Sequence, residues 1–391
     1  MKYRLDDIFD LQMGKTPSRN NLEYWETQDN KWISIGDLSQ SGKYISKTKE
    51  YLSNEAVRQS GIKIIPAGTV IMSFKLSIGK TAITQEDMYS NEAIMAFHDK
   101  KVVEMLPEYI YYLFKCKDWD KGTNKAVMGK TLNKATLSQI QVDICSIEEQ
   151  HRIVKNLNDV SEFIDNIKML QDDLDMLIKS RFVEMFGDLE SPSCHWERIK
   201  LVEACVKSDD IKCGPFGTQL NKDEYVDEGV AVWEIPQINT AFKTSPTHFV
   251  TENKAEQLKA YSLIPGDIAM SRKGNVGKCA LFPEGYDIGI IHSDVLRIRV
   301  DFEKVNPVFM MRQLHYSGAV KHQIDLVSSG AIMAGINVTK LKEIFVHIPP
   351  IELQNQFADF VSSVDKLKVE LQKTMNETQI LFDSLMQKYF G

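Results

Sequence analysis

Two short segments of the chain combine serine, lysine and glycine at the same spacing. They are Ser73-Phe-Lys-Leu-Ser-Ile-Gly-Lys80 and Ser271-Arg-Lys-Gly-Asn-Val-Gly-Lys278. A glycine-containing turn can present backbone N–H groups, and flanking lysines add positive charge, so such a turn suits contacts to nucleic-acid phosphates. Short polar side chains at the tip can reach base edges. The predicted contact residues here are Lys75, Ser77, Lys80, Arg272, Lys273, Asn275 and Lys278. The alternative is an ordinary β-hairpin turn with solvated lysines.

A second pair of glycine-containing loops lies at matching places in the two halves of the chain. Gly14-Lys-Thr-Pro17 is the first, and Gly214-Pro-Phe-Gly-Thr-Gln219 is the second. Their polar side chains are candidates for further contacts of the same kind. This adds Lys15, Thr16, Thr218 and Gln219 to the predicted contact residues.

The chain lacks recognisable catalytic motifs. Pro349-Pro350 has neither the preceding acidic or Asn residue nor the following aromatic residue of an amino-methyltransferase. Gly274-Asn-Val-Gly-Lys278 resembles a fragment of a phosphate loop, but Cys279 stands where that loop needs Ser or Thr. Cys194-His195 has no second Cys/His pair at ligand spacing. We therefore expect no catalytic residue, no cofactor and no metal in this chain.

Composition restricts the class of protein. At 391 residues with 43% hydrophobic residues, the chain suits two or three globular domains. It has no apolar run of about 18 residues and no apolar segment near Met1, so we expect neither a membrane span nor a signal peptide. Six cysteines without CxxC spacing suggest free thiols in a reducing cytoplasm.

Charge is unevenly distributed along the chain. The net charge is −7, but residues 148–189 alone carry 5 basic and 10 acidic residues. The stretch from Lys43 to Lys80 carries seven bases against two acids. A local basic face can bind phosphates whatever the sum over the chain.

An internal repeat determines the predicted architecture. The segment 133–150 recurs as 337–354 at an offset of 204, with Leu137/Leu341 and Val142/Val346 among the matched pairs. The segment 73–82 recurs as 271–280 at an offset of 198. Each half therefore consists of a globular region followed by the same tail.

The tail is predicted to be a long amphipathic helix. Residues 149–185 contain neither Pro nor Gly. Apolar residues follow in steps of three and four at Ile153, Leu157, Val160, Phe163, Ile167, Leu170, Leu174 and Leu177. The matched positions are Phe357, Val361, Val364, Leu367, Leu371, Thr374, Thr378 and Leu381.

Such a helix is too long to bury its apolar stripe alone. Its 37 residues give a rod of about 55 Å. We expect the two copies to pair antiparallel, as a two-fold relation between the halves would require. The predicted interface consists of Ile153, Leu157, Val160, Ile167, Leu174, Phe357, Val361, Val364, Leu371 and Leu381. The alternative is that each helix packs on its own globular region.

The predicted fold class is α+β. Two pseudo-symmetric, strand-rich domains occupy residues 1–147 and 188–350, and the long helices occupy 148–187 and 351–391. Residues 62–73 are read as a strand, a turn at Pro66–Gly68 and a second strand, with a copy at 262–271. Leu106–Lys117 and Pro307–Tyr316 are predicted helices.

These features resemble the specificity subunits of type I restriction–modification enzymes. The resemblance covers the whole chain and rests on Gly14-Lys-Thr-Pro17, Gly274-Asn-Val-Gly-Lys278, Ile348-Pro-Pro-Ile-Glu-Leu-Gln354, the repeat and the long helices. The first half departs from the pattern, with Leu76-Ser77-Ile78 and Cys145-Ser146 at the corresponding places.

The resemblance implies a non-catalytic, cytoplasmic subunit. Each of its two target-recognition domains would read one half of a bipartite double-stranded DNA target, and the helical pair would set the spacer. It implies as partners two modification (methyltransferase) subunits and restriction motor-nuclease subunits. S-adenosylmethionine, ATP and Mg²⁺ would be bound by those partners only.

Two other functions stay open at this point. One is a two-headed coiled-coil scaffold or adaptor that binds protein partners rather than DNA. The other is a stand-alone nucleic-acid enzyme with an active site that no motif reveals.

Overall fold

A computed structural model of the chain describes residues 1–75, 77–119, 124–126, 129–189, 191, 194–328 and 335–391, with backbone only for 124–126 and 129–131. The described residues form two compact units. Unit 1 comprises Met1–Lys168 and Lys373–Gly391, and unit 2 comprises Met169–Gln372. Leu76, discussed above, and residues 190, 192 and 193 of the link between the halves lie outside the described residues.

Unit 1 is rich in short strands. The strands are β1 Lys2–Arg4, β2 Phe9–Met13, β3 Asn30–Ile33, β4 Tyr44–Ile45, β5 Glu50–Leu52, β6 Val70–Ser73, β7 Thr81–Thr84, β8 Tyr89–Ser90, β9 Ile94–Asp99, β10 Asn124–Ala126, β11 Gly129–Thr131 and β12 Gln141–Asp143. The helices are α1 Leu5–Ile8, α2 Ile35–Gln40, α3 Asn54–Ser60, α4 Pro107–Cys116, α5 Lys134–Ser138 and the start of α6 Ile147–Phe186, with a 3₁₀ helix at Leu22–Tyr24.

Among the described residues of unit 1, the strands form two larger sheets and two pairs. The larger sheets have the orders β2-β9-β6-β7-β4 and β5-β3-β8, and the pairs are β1-β12 and β10-β11. Strands β2, β9, β6 and β7 are antiparallel to one another along the sheet, whereas β4 is parallel to β7 and β3 is parallel to β8. The main core lies between the first sheet, helix α4 and the start of α6.

Unit 2 repeats this composition. Its strands are β13 Glu197–Lys200, β14 Ile211–Cys213, β15 Val230–Trp233, β16 His248–Val250, β17 Ser262–Leu263, β18 Ile268–Ser271, β19 Cys279–Leu281, β20 Gly289–Ile291, β21 Val295–Ile298 and β22 Phe345–Ile348. Its helices are α7 Ile235–Asn239, α8 Glu252–Gln257, α9 Pro307–Tyr316, α10 Gly318–Ser328, α11 Val338–Lys342 and α12 Ile351–Phe390, which ends in unit 1. The 3₁₀ helices are Leu201–Ala204, Ser208–Asp210, Gly217–Gln219, Lys222–Glu224 and Lys259–Tyr261.

The sheets of the two units have the same strand order. In the described part of unit 2 the sheets are β14-β21-β18-β19, β16-β15-β20-β17 and the pair β13-β22. These correspond to β2-β9-β6-β7, β5-β3-β8 and β1-β12 of unit 1, while β4 of unit 1 and β17 of unit 2 are extra edge strands among the described residues. The duplication predicted from the sequence offsets is therefore present in the topology, and the predicted α+β fold class is confirmed.

The two long helices run antiparallel within each unit. In unit 2, Phe182 and Phe186 near the end of α6 pack against Phe357 near the start of α12, with ring centroids 5.4 and 5.5 Å apart. In unit 1, the Asn156 amide donates to the Tyr389 hydroxyl at 3.0 Å. Both arrangements bring the end of one helix to the start of the other.

The helices also pack on the globular parts of their units. Ile153 and Leu157 share one buried cluster with Tyr112 of α4 and with Met386 of α12. Phe357 and Val361 share another with Phe309 of α9. The pairing of helices and the packing of each helix on a globular domain, posed above as alternatives, therefore occur together.

The burial of the long helices corrects the predicted apolar stripe. Of the predicted interface residues, Ile153, Leu157, Ile167, Phe357, Val361 and Val364 are buried, and Val160, Leu174 and Leu371 are partly buried. Leu381 is 51% exposed, and its neighbours Phe382 and Leu385 pack into the core instead. The predicted stripe advances by about 3.4 residues per turn, below the 3.6 of an α-helix, so it moves off the buried face.

One strand prediction was also wrong. The second predicted strand of 62–73 is β6, but residues 62–65 contribute only a bridge from Ile65 to Met88. Pro66 follows that bridge directly and has no N–H to continue a ladder. In the copy, β17 and β18 are both strands, as predicted.

Candidate nucleic-acid interface

The predicted contact loops of unit 1 come together at one edge of its main sheet. Strands β2 and β6 both end at the edge where β9 begins, because β9 is antiparallel to each. Backbone bonds tie the loops to this edge. Gly14 donates to Ile94 at 3.1 Å, Lys15 donates to Ser90 at 2.8 Å, and Phe74 donates to Ala93 at 3.0 Å.

Unit 2 places its contact loops at the corresponding edge. Strands β14 and β18 end where β21 begins. The Gly214 N–H donates to Val295 at 3.1 Å, and the Arg272 N–H donates to Asp294 at 2.8 Å. We use the name reading edge for this part of each unit: residues 14–17, 73–75, 77–80 and 90–94 in unit 1, and residues 214–219, 271–278 and 291–295 in unit 2.

The close approach of backbones explains Gly14 and Gly214. A Cβ atom at Gly14 would lie 2.1 Å from the Asn91 carbonyl oxygen, and one at Gly214 would lie 2.3 Å from that of His292. Glycine alone fits at such distances. The two glycines therefore allow each loop to pack closely against the segment that precedes β9 or β21.

The lysine-bearing segments are tight turns of the same construction. The Gly79 N–H donates to Ser73 O and the Gly277 N–H donates to Ser271 O, both at 2.9 Å. Gly79 has φ of 89° and Gly277 has φ of 80°, in the left-handed region that favours glycine. The structure therefore agrees that these segments are hairpin turns, and any DNA contact by their side chains remains a proposal.

In unit 1, two of the predicted residues, Thr16 and Lys75, lie near one acidic residue, Glu92. The Thr16 hydroxyl donates to the Glu92 carboxylate, which lowers the pKa of Glu92, and the charges of Lys75 and Arg19 lower it further. The Lys75 ammonium lies 5.3 Å from the Phe74 ring centroid. The Lys80 ammonium donates to the Ser39 hydroxyl, and the Lys15 ammonium donates to the Ser60 carbonyl. Ser77 is partly buried at the turn.

In unit 2 the reading edge holds an ion pair between two side chains of adjacent segments. The Lys273 ammonium lies 2.7 Å from the Asp294 carboxylate. The Arg272 guanidinium lies 5.0 Å from the Phe216 ring centroid, and its Nε donates to Ile336 O at 3.1 Å. Asn275 is exposed and donates to the Asn239 side chain at 3.4 Å.

The remaining predicted residues of unit 2 are Thr218, Gln219 and Lys278. Thr218 and Gln219 are exposed on a 3₁₀ helix, where the Gln219 side chain accepts the Tyr261 hydroxyl at 3.0 Å. Lys278 is partly buried at the end of the turn. The predicted contact of these side chains with DNA stays a prediction.

Sequence reasoning missed several charged groups at these edges. Arg19 lies 3.6 Å from the Trp25 ring centroid and forms an ion pair with Glu50. Glu92 and Asp294 were not predicted either. They reach the edge from segments far along the chain, and no repeat or spacing in the sequence indicates this placement.

Cysteine thiols and metal ligands are the remaining groups with possible chemistry in the described part of the chain. Desolvation of the thiol raises the pKa of Cys279, next to Lys278, to about 12, so it stays protonated at neutral pH. Residues outside the gaps given above include no group of three His, Cys, Asp or Glu side chains placed to hold a metal ion. Likewise, no helix within them is both long and apolar enough to cross a membrane.

The fold and the reading edges define a duplicated, strand-rich module joined by long helices. The chain belongs to the family described as Type I restriction modification DNA specificity domain, whose model matches residues 1–175 and 211–379.

Individual relatives agree with this assignment. The chain is 30% identical over 191 residues to the type I restriction enzyme MjaIX specificity subunit of Methanocaldococcus jannaschii, which covers 48% of this chain and 44% of that protein. It is 28% identical over 153 residues to the EcoR124I/EcoR124II specificity subunit of Escherichia coli, covering 37% of each. The chain thus spans less than half the length of these relatives.

The fold is shared by a solved S subunit of a type I restriction–modification system from M. genitalium. The TM-score is 0.54 at 16% identity, and the match covers 100% of this chain and 96% of that one. A chain from a structure of type I R-M complex assembly matches with a TM-score of 0.63 at 17% identity, covering 100% and 97%.

Proposed function

We propose that this chain is the DNA specificity subunit of a type I restriction–modification complex. Each unit reads one half of a bipartite double-stranded DNA target through its reading edge. The pair of long helices sets the length of the unread gap. The observation that carries this proposal is the duplicated reading edge, with lysine-bearing turns of the same geometry in both units.

The chemistry of the reading edges supports DNA rather than a protein partner. Each edge combines a glycine turn, flanking lysines and short polar side chains, which are the groups that contact phosphates and base edges. The two edges differ in their tip residues, Ser77 against Asn275. Such a difference suits two half-sites of different sequence.

The proposal assigns catalysis to other subunits. Two modification subunits would carry S-adenosylmethionine, and restriction motor-nuclease subunits would bind ATP and Mg²⁺. This chain would bind none of the three. Calorimetric titration of S-adenosylmethionine into the isolated chain should therefore give no heat of binding, and one tight site per chain would contradict this part.

The central experiment is selection of bound sequences from randomised duplexes by the chain assembled with its modification subunits. We expect two short specific segments separated by a gap of fixed length. Replacing both Lys80 and Lys278 with Ala should weaken binding of the selected duplex. Lys101 and Lys304 provide the matched control, because they are 83% and 68% exposed and follow the opposite ends of β9 and β21.

The two possible failures have different meanings. Selection of one continuous segment would contradict two independent reading units. Equal losses from Lys101→Ala/Lys304→Ala and from Lys80→Ala/Lys278→Ala would place the DNA elsewhere on the sheets.

A further inference from the structure

Two glutamines occupy the same place in the repeat, one in each unit. Gln150 and Gln354 are related by the offset of 204 and lie in the first turn of α6 and of α12. Both are 0% exposed. A fully buried side-chain amide requires hydrogen-bond partners for its polar atoms.

In unit 1 the Gln150 side chain forms three hydrogen bonds, all to backbone. Its Oε1 accepts the N–H of Leu106 at 2.9 Å, just before α4. Its Nε2 donates to the Glu104 carbonyl at 2.9 Å and to the Cys145 carbonyl at 3.1 Å.

In unit 2 the Gln354 side chain repeats this set. Its Oε1 accepts the N–H of Asn306 at 2.9 Å, just before α9. Its Nε2 donates to the Lys304 carbonyl at 3.3 Å and to the Pro349 carbonyl at 2.7 Å. The partners are matched in position, although Cys145 and Pro349, like Leu106 and Asn306, differ in residue type.

Only an amide side chain satisfies this arrangement at this size. The site offers one N–H and two carbonyl oxygens, so it requires one acceptor and two donors on the same side chain. A carboxylate in the same place would face two carbonyl oxygens with no proton to donate. Because all the partners are backbone atoms, the amide fixes the positions of the backbone segments that it joins and does not orient neighbouring side chains.

The elements joined by each amide lead to the reading edge. Helix α4 contributes Phe114 to the cluster that contains Met72 of β6 and Phe97 of β9. Helix α9 contributes Met310 to the cluster that contains Met270 of β18 and Leu296 of β21. Each glutamine therefore ties the first turn of a long helix to the helix that packs on the sheet with the reading edge.

We infer that Gln150 and Gln354 are positioning residues that fix the direction of each long helix relative to its own reading edge. They contact no DNA. In the assembled complex they hold the gap to a single length, because the direction in which a helix leaves a unit decides where the other unit meets the DNA. This inference rests on the proposed function.

The test is sequence selection with Gln150→Glu and Gln354→Glu, singly, in the chain assembled with its modification subunits. We expect unchanged half-site sequences. The share of bound duplexes with a gap one base pair longer or shorter should rise roughly fivefold, as a small free-energy change would produce. Gln356→Glu is the control, since it makes the same charge change in the same region of α12 on an exposed side chain.

A melting temperature measured on each variant separates positioning from simple stabilisation. A lower melting temperature with the wild-type gap distribution would overturn the inference, because the glutamines would then serve only the fold. If Gln354→Glu fails to assemble, Gln354→Met is scored in its place, as it removes the hydrogen bonds without adding charge. A wild-type complex that selects no bipartite target would overturn the proposed function itself, and the inference with it.

Discussion

Lys80 and Lys278 occupy matched positions at the ends of the two turns. The backbone carbonyl of each lysine accepts a hydrogen bond from the N–H of the serine that begins the turn, Ser73 or Ser271. If each neutralises one phosphate, its replacement by Ala should lower the slope of log affinity against log salt by about one. The measurement is DNA binding of the complex at several salt concentrations. Lys101→Ala should leave the slope unchanged. Slopes equal to the wild type in both Lys80→Ala and Lys278→Ala would identify the turns as structural only.

Lys273 differs from the other predicted lysines because it already has a carboxylate partner. Its ammonium is 2.7 Å from Asp294. Replacing Asp294 with Asn removes a negative charge from the edge and frees this ammonium for a phosphate. We therefore expect Asp294→Asn to bind DNA more tightly and with a salt slope steeper by about one. Weaker binding by a variant with wild-type melting temperature would show that Asp294 itself takes part in recognition.

At this scale the sequence predicted the two lysine-bearing turns but not the acidic residues beside them. Repeated glycines and lysines reveal Lys75, Lys80, Lys273 and Lys278, because the turn imposes a local spacing. Glu92 and Asp294 lie in the short segments before β9 and β21, which meet the lysine-bearing turns only in the folded sheet. Their effect on nearby charges depends on distances that no local pattern encodes.

Among the elements, the long helices illustrate what periodicity can and cannot provide. The absence of Pro and Gly over 149–185 predicted a helix, and the structure gives Ile147–Phe186. The buried face was predicted well at the start of α6 and poorly further on, where Phe163, Leu170 and Leu177 are each about half exposed. A stripe read with a period shorter than 3.6 rotates away from the true face with each turn.

The helix packing yields a prediction that contrasts two apolar residues of α12. Phe357 is 0% exposed and contacts the rings of Phe182 and Phe186. Phe357→Ala should lower the free energy of unfolding by about 3–5 kcal/mol. Leu381→Ala should change it by no more than about 0.5 kcal/mol, because that side chain is 51% exposed. Denaturant unfolding of the two variants compares them directly, and equal losses would restore Leu381 to the interface.

For the whole molecule, the repeat was the most informative feature of the sequence. The repeat offsets of 204 and 198 predicted two similar halves. The matched strand orders of the two units agree with that prediction. Residues 62–65 show where the two copies differ: they were predicted as a strand and contribute a single bridge, whereas the matching β17 is a strand although Pro265 lies where Pro66 does. Duplication reveals architecture, whereas details of each copy depend on its own sequence.

The helical pair is also the element through which the gap length can be changed. Lys168 and Gln372 are the positions at which α6 and α12 pass from one compact unit to the other. A heptad inserted after each keeps the apolar faces in register to within about 20°. It lengthens both helices by about 10 Å, close to three base pairs of B-DNA. We expect the selected gap to grow by about three base pairs with unchanged half-sites.

Affinity should fall in the same variant, for a reason that is itself measurable. Three added base pairs rotate one half-site by about 100° around the DNA axis, since B-DNA has about 10–10.5 base pairs per turn. A heptad of paired helix turns the attached unit by much less, so the lengthened protein must strain itself or the DNA to read both half-sites. A heptad inserted in α6 alone is the control. It leaves the two helices unequal in length, so this variant should not bind the DNA target. An unchanged gap in the doubly extended, binding-competent variant would mean that the partner subunits set the spacing, and the helical pair would then have no role as a ruler.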